Sequence, residues 1–217
     1  MFNQLTDVSA LAGLTQLTGL DLQRNNLTDV SALSELKKLH DLDLGCNQLT
    51  DVKSLENLTQ LTSLSLSNNQ ITEISALSDL TKLEWLRLRG NQITHVSPLK
   101  KLTQLTSLDL GCNQLTDVSA LTELKQLNDL TLSFNKLTDL SGLKGLKQLK
   151  SLKLSNNQLT DVSALSELEE LTYLHLHHNK LTDVKGLGNL TKLSTLNLGF
   201  NQLTDVKSLE KLTQLTS

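Results

Sequence analysis

Residues 39–60 read LHDLDLGCNQLTDVKSLENLTQ and set the pattern for the whole chain. Their apolar side chains surround one polar position, Asn47, and the pattern returns every 22 residues without an insertion. The polar position is repeated as Asn25, Asn47, Asn69, Asn91, Asn113, Asn135, Asn157, Asn179 and Asn201. An unbroken, in-register repeat is typical of a solenoid, in which each unit buries its apolar side chains only by stacking on its neighbours.

The repeat accounts for all 217 residues. A partial repeat covers 1–16, nine complete repeats cover 17–214, and residues 215–217 begin another one. A chain of this length could hold two domains, but a repeat that continues without a break favours a single solenoid domain over 1–217.

Each unit contains two hydrophobic periods. Leu-x-Leu pairs such as Leu42 and Leu44 alternate with a period of two, which predicts a short, half-buried strand. From Leu27 to Leu39 the apolar residues are spaced by three, which is the period of a 3₁₀ helix. Because long 3₁₀ runs are unfavourable, we expect separate tight turns on that side and stacked parallel strands on the other.

Two polar columns have predicted structural roles. The Asn at the exit of each strand can satisfy backbone groups of adjacent coils and form a ladder in a dry interior. The Asp four residues further on, such as Asp29, precedes a turn and can accept its unpaired N–H groups. Glu73 and His95 replace this Asp in two repeats, where we expect weaker capping.

The consensus L-x-x-L-x-L-x-x-N-x-L-x-D-V-x-x-L-x-x-L-x-x resembles the leucine-rich repeat family over nearly the whole chain. It is most similar to the 22-residue subclass of bacterial internalins and of the leucine-rich regulatory subunit of protein phosphatase 1. The resemblance implies an α/β solenoid wound as a right-handed superhelix, with a parallel β-sheet on the concave face and 3₁₀ or irregular turns on the convex face. It also implies protein recognition. The helical N-terminal cap and the downstream immunoglobulin-like segment of internalins are not recognisable, so attachment to host cells is not carried over.

Charge and composition argue against several functions. A net charge of −3 and a pI near 5.9 give no basic surface for nucleic acid. No window approaches the roughly 18 continuous apolar residues of a membrane helix. We therefore expect neither nucleic-acid nor membrane binding. No residue pattern in the sequence predicts a cofactor or a metal.

Cys46 and Cys112 occupy the same position three repeats apart, which corresponds to about 14 Å at the usual strand spacing. A disulfide needs Cα atoms within about 7 Å, so we expect two free thiols. Free thiols and the lack of a recognisable signal peptide favour the cytoplasm. A secreted or cell-surface location stays open if the sequence is a fragment.

We expect the terminal repeats to expose leucines, namely Leu5, Leu11, Leu209 and Leu215, because these have no coil beyond them. Three explanations are open: the chain is a fragment of a longer protein, its ends stack on another copy in end-to-end self-association, or frayed ends are tolerated.

The outward positions of the fourth strand carry Trp85, Arg87 and Arg89. Trp and Arg often dominate the energy of interfaces, and a lone Trp on an open sheet has no structural role, so this group predicts a partner-binding hot spot. The alternative for Arg87 is a surface ion pair with Asp109 on the next strand, worth at most about 1 kcal/mol.

An acidic group consists of Asp21, Asp41 and Asp43. It is compatible with a solvated face, with a docking site for a basic partner, or with a general acid/base pair. No nucleophile or pocket is expected beside the carboxylates, which disfavours catalysis.

The eighth repeat carries Tyr173, His175 and His177 on one face. Two histidines in this arrangement resemble zinc ligands, but the neighbouring strand offers Lys153 and no third ligand. We interpret the group as a polar contact patch that weakens at low pH, when the imidazoles become charged.

Phe134 and Phe200 come immediately before a ladder Asn, in the column that also holds Cys46 and Cys112. We expect core packing for this column.

Together these patterns predict a non-enzymatic protein–protein interaction module whose partner lies on the concave face. An enzyme is disfavoured because an open, shallow sheet neither excludes water nor shifts pKa values far. Two alternatives are a segment of a larger regulatory or GTPase-type protein and an engineered or duplicated array. The second is suggested by DLGCNQLTDV, which is identical at 43–52 and 109–118.

Overall fold

The fold is a stack of coils that contributes one strand per repeat to a single parallel sheet. A computed structural model describes residues 3–217; Met1 and Phe2, which begin the predicted partial repeat, lie outside the described residues. The strands are β1 Gly19–Asp21, β2 Asp41–Asp43, β3 Ser63–Ser65, β4 Trp85–Arg87, β5 Ser107–Asp109, β6 Asp129–Thr131, β7 Ser151–Lys153, β8 Tyr173–His175 and β9 Thr195–Asn197. They follow one another in chain order across the sheet, and equivalent residues of successive repeats pair. The predicted parallel sheet is confirmed.

The opposite side of each coil is a short 3₁₀ helix, which confirms the prediction of separate tight turns. In the part of the chain that the structure describes, the ten helices are Ser9–Leu11, Ser31–Leu33, Lys53–Leu55, Ser75–Leu77, Ser97–Lys101, Ser119–Glu123, Ser141–Leu143, Ser163–Leu165, Lys185–Leu187 and Lys207–Leu209. Within residues 3–217, none of the helices is both long and apolar enough to cross a membrane.

The leucines form one continuous core between the sheet and the helices. Leu42 and Leu44, like most of their equivalents, are fully buried. The coils at the two ends bury less: Leu5 is 43% exposed, whereas Leu11, Leu209 and Leu215 are half-buried. The interior is therefore dry where a coil has a neighbour on both sides.

Each Asn of the repeat ties its coil to the preceding one. The side-chain oxygen of Asn47 accepts the N–H of Leu27 at 3.0 Å, and its amide nitrogen donates to the carbonyls of Leu22 and Leu44 at 3.0 Å. The same set recurs along the chain, and eight of the nine Asn residues are only 8% exposed. We call this column the Asn ladder. It satisfies backbone groups that would otherwise be buried without partners.

The Asp column caps the 3₁₀ helices, as predicted. Asp29 accepts the N–H of Ser31 at 2.8 Å and the hydroxyl of Ser31 at 2.8 Å, and these bonds hold the pKa of its carboxyl below the usual value. In the described part of the chain Glu73 and His95 make no such bond; their side chains lie 3.6 Å apart instead. The weaker capping expected in these two repeats is confirmed.

The expectation of core packing for Phe134 and Phe200 is wrong. Their side chains are 52% and 77% exposed, and the Cys46 thiol in the same column is also exposed. The residue before each ladder Asn has φ between 54° and 69°, the left-handed conformation that turns its side chain away from the interior. We call this column the rim column: Arg24, Cys46, Asn68, Gly90, Cys112, Phe134, Asn156, His178 and Phe200.

Candidate functional site

The open face of the sheet presents the side chains that alternate with the core leucines. Trp85 is 50% exposed and Arg87 is exposed, while Leu86 between them is fully buried. Arg89, beyond the end of β4, is half-buried on the same side. The fourth repeat thus directs one indole and two guanidinium groups outward.

Arg87 turns toward its own strand and not toward the next one. Its guanidinium carbon lies 5.9 Å from the centre of the Trp85 ring, within the range of a cation–π contact. Although Arg87 and Asp109 are register partners, no ion pair joins them among the described residues. The alternative of a structural ion pair is therefore not realised.

Gly111 leaves space for the side chain of Arg89. A Cβ atom at this glycine would lie 2.7 Å from Nη1 of Arg89 and 3.1 Å from Oδ1 of Asp109. The guanidinium therefore lies across the neighbouring coil, where a larger residue would displace it.

A first depression of about 510 Å³ lies on one side of Trp85. We call it the acidic depression. Its lining includes Asp21, Asp41, Asp43, Ser63, Ser65, Trp85 and Arg87. The expectation that no pocket accompanies the acidic group is therefore wrong. Its three carboxylates line one concavity with Trp85 and Arg87 of the predicted hot spot, which the sequence treats as a separate site.

A second depression of about 380 Å³ lies on the other side of the same residues. We call it the mixed depression, and its lining includes Trp85, Arg87, Ser107, Asp109, Asp129, Thr131 and Lys153. Oδ1 of Asp129 is buried there and has no hydrogen-bond partner within residues 3–217. Sequence reasoning missed Asp129, although it occupies the same outward column as Asp41 and Trp85.

The third predicted group, on β8, is a chain of aromatic rings. Ring centres are 4.3 Å apart for Tyr173 and His175, and 5.6 Å apart for His175 and His177. The chain continues through His178 to Phe200 of the rim column, whose rings stack at 4.2 Å. An aromatic surface therefore runs from the middle of the sheet to its edge.

The polar atoms of this ring chain have partners on the protein. Nδ1 of His175 lies 3.2 Å from the Tyr173 hydroxyl, and Nδ1 of His177 lies 2.9 Å from the hydroxyl of Ser155. The ammonium of Lys153 lies 5.7 Å from the centre of the Tyr173 ring.

The two histidines resist protonation. Burial lowers the pKa of His175, and repulsion from His177 and Lys153 lowers it further. Burial and repulsion from His178 lower the pKa of His177 in the same direction. Both imidazoles therefore become charged less readily than an ordinary histidine. No group of three His, Cys, Asp or Glu side chains in the described range could hold a metal ion.

The fold and this varied, open sheet define a repeat protein built to present a surface. Comparison with protein families gives the same class: the model "Leucine Rich repeats (2 copies)" matches residues 15–57, 81–123, 125–167 and 169–217, and the model "Leucine rich repeat" matches 37–93. The chain belongs to the leucine-rich repeat family. A search of curated protein sequences found no match.

Solved structures include similar solenoids. An internalin, InlF, of Listeria monocytogenes is 32% identical, with a TM-score of 0.76; the match covers 99% of this chain and 77% of that one. Internalin C2 of the same species is 35% identical, with a TM-score of 0.82, over 85% of this chain and 81% of that one. The leucine-rich repeat ectodomain of the plant receptor kinase GASSHO1/SCHENGEN3 of Arabidopsis thaliana is 31% identical, with a TM-score of 0.76, over 97% of this chain and 30% of that one.

These comparisons confirm the predicted resemblance to internalins and the predicted solenoid. Leucine-rich repeat domains of this kind are protein-interaction modules and typically non-enzymatic scaffolds.

Proposed function

We propose that the protein is a non-enzymatic binding module that holds a protein partner on the concave face of its sheet. The partner is anchored by Trp85, Arg87 and Arg89. It extends over Asp109 and Lys153 toward Tyr173, His175 and His177, and it reaches Asp41 and Asp43 on the other side.

One observation carries this proposal: the only tryptophan of the chain is half-exposed at the boundary between two depressions. Its indole contributes nothing to the leucine core, so removing it costs the fold little. Exposed Trp and Arg side chains on a rigid surface are the residues from which interfaces obtain most of their binding energy.

The shape of the face also favours binding over catalysis. Both depressions are broad and open to solvent, so a substrate there would stay hydrated, and the effective dielectric constant would remain high. A protein partner covers such a surface and excludes water itself. The plant receptor-kinase ectodomain was crystallised in complex with CASPARIAN STRIP INTEGRITY FACTOR 2, which supports partner binding as a use of a related solenoid.

The test is capture of a partner from native lysate by the immobilised chain. Trp85→Ala combined with Arg87→Ala should abolish specific capture and leave the thermal unfolding midpoint nearly unchanged. A matched control, Phe134→Ala combined with Lys136→Ala, removes one exposed aromatic and one exposed cation from outside the concave face and should capture normally. Undiminished capture by the Trp85 and Arg87 variant would contradict the proposal.

A further inference from the structure

The acidic depression contains carboxylates that the protein does not neutralise. Among the described residues, no ion pair involves Asp21, Asp41 or Asp43. Oδ1 of Asp43 accepts the N–H of Gly45 at 2.8 Å, and both oxygens of Asp21 accept bonds from Gln23 at 3.0 Å. Asp41 and Oδ2 of Asp43 are therefore the acceptors that face solvent.

The lining of the depression also includes one cation, Arg87. Arg87 lines the opposite wall, and its guanidinium is held over Trp85 on β4. Three carboxylates and one guanidinium give the depression a net negative charge. A cation that enters the depression is attracted by the carboxylates on β2 and repelled by Arg87 on β4, so it binds on the β2 side.

The bottom of the acidic depression is formed by β3, whose outward side chains are two small serines. Ser63 and Ser65 of β3 pair with Asp41 and Asp43 on one side and with Trp85 and Arg87 on the other. The walls are two strand spacings apart, about 10 Å. An α-helix is about 10–12 Å across with its side chains and does not enter such a gap, whereas a single extended chain does. The serine hydroxyls can hydrogen-bond to the backbone of such a chain.

We propose that the acidic depression binds an extended basic segment of the protein partner. A lysine or arginine head group pairs with Asp41 and Asp43, and its aliphatic stem packs against the Trp85 indole. This inference rests on the proposed function, and it specifies the chemistry of the partner at one end of the concave face.

The probe is the peptide acetyl-(Lys-Ser)₄-amide, added to the full chain at low ionic strength. Because Trp85 is the only tryptophan and lines both depressions, its fluorescence reports binding at either one, and the variants below distinguish the two. We expect a saturable change in emission. Binding should weaken several-fold when salt screens the charges, and acetyl-(Glu-Ser)₄-amide should give no change.

The decisive variants remove charge and preserve shape. Asp41→Asn combined with Asp43→Asn should weaken the peptide about ten-fold, which corresponds to about 1.4 kcal/mol. The matched control, Glu56→Gln combined with Glu123→Gln, changes the net charge equally at two exposed residues of the helix side and should leave the affinity within about two-fold. Unfolding in urea verifies that both variants are folded.

Four results would overturn the inference: no binding by the parent chain, equal affinity in the Asp41 and Asp43 variant, an equal loss in the control, or binding of a labelled peptide by anisotropy without a Trp85 response. Failure here with normal lysate capture removes only the basic-segment inference. Undiminished capture by the Trp85 and Arg87 variant, in contrast, contradicts the proposed function whether or not the peptide binds.

Discussion

The side-chain oxygen of Asn113 accepts the backbone N–H of Ile93, 20 residues earlier, at 3.0 Å. The nitrogen of the same amide donates to Leu88 at 3.0 Å and to Leu110 at 3.1 Å. It also donates to the carbonyl of Gly111 at 3.2 Å, so one buried side chain contacts four backbone groups on two coils.

We expect Asn113→Ala to lower the free energy of unfolding by about 1–3 kcal/mol, because these backbone groups stay buried and lose their partner. Urea unfolding measures the change. Gln114→Ala is the matched control, since Gln114 is the exposed neighbour of the same turn, and it should stay within about 0.5 kcal/mol. Equal midpoints for the Asn113 variant and the parent would refute the structural role of the ladder.

Glu73→Asp should stabilise the chain. The shorter carboxylate can reach the N–H of Ser75, as Asp29 reaches that of Ser31, and a cap of this kind contributes about 0.5–1 kcal/mol. Loss of the exposed Glu73–His95 contact offsets little of this gain.

The pH dependence of stability tests whether the stabilisation by Glu73→Asp comes from capping. A capping Asp has a pKa below its unfolded value of 3.8, so its contribution is present above that pH and is lost as the pH falls through the lowered pKa. Thermal unfolding at pH 7 and pH 3 measures both effects. An increase in stability that is as large at pH 3 as at pH 7, or no increase at pH 7, would be inconsistent with capping.

Protonation of the β8 histidines should destabilise the fold. The pKa values of His175 and His177 are lowered from 6.5 in the folded chain, so the unfolded chain takes up protons first as the pH falls. Stability therefore declines from about pH 6.5 through the lowered pKa values and levels off below them. Urea unfolding at pH 7 and pH 5 should show a smaller decline for His175→Gln combined with His177→Gln, and an unchanged decline would show that these imidazoles are not responsible.

Much of the fold follows from the sequence because the repeat fixes which residues become neighbours. A strict spacing of 22 places Trp85 beside Ser63 and Ser107 in any stacked solenoid. The period of two then separates Trp85 and Arg87 from the buried leucine between them. Local periodicity and repeat length thus determine both the sheet and its outward surface.

The rim column shows where periodicity is insufficient. Phe134 is apolar and next to the buried Asn135, so a pattern based on hydrophobicity places it inside. The backbone at φ 59° directs it outward. The occurrence of Asn68, Gly90 and Asn156 in the same column was the available signal, because Gly and Asn are the residues that adopt positive φ most readily.

Side-chain direction within the site could not be predicted. Register allowed Arg87 to reach Asp109, yet Arg87 lies over Trp85. The choice between two exposed partners of similar energy depends on rotamers that a one-dimensional pattern does not encode. The same applies to the joining of the acidic group and Trp85 into one depression.

The Asn ladder places an equivalent restraint at every junction between coils. If the ends of the stack were pulled apart along its axis, no junction would be much stronger than the next, and coils would detach one at a time from an end. Each released coil would lengthen the tether by about 75 Å, the extended length of 22 residues. Under tension the molecule would therefore extend in steps of equal length, and the coils near its middle, with any partner bound there, would unfold last.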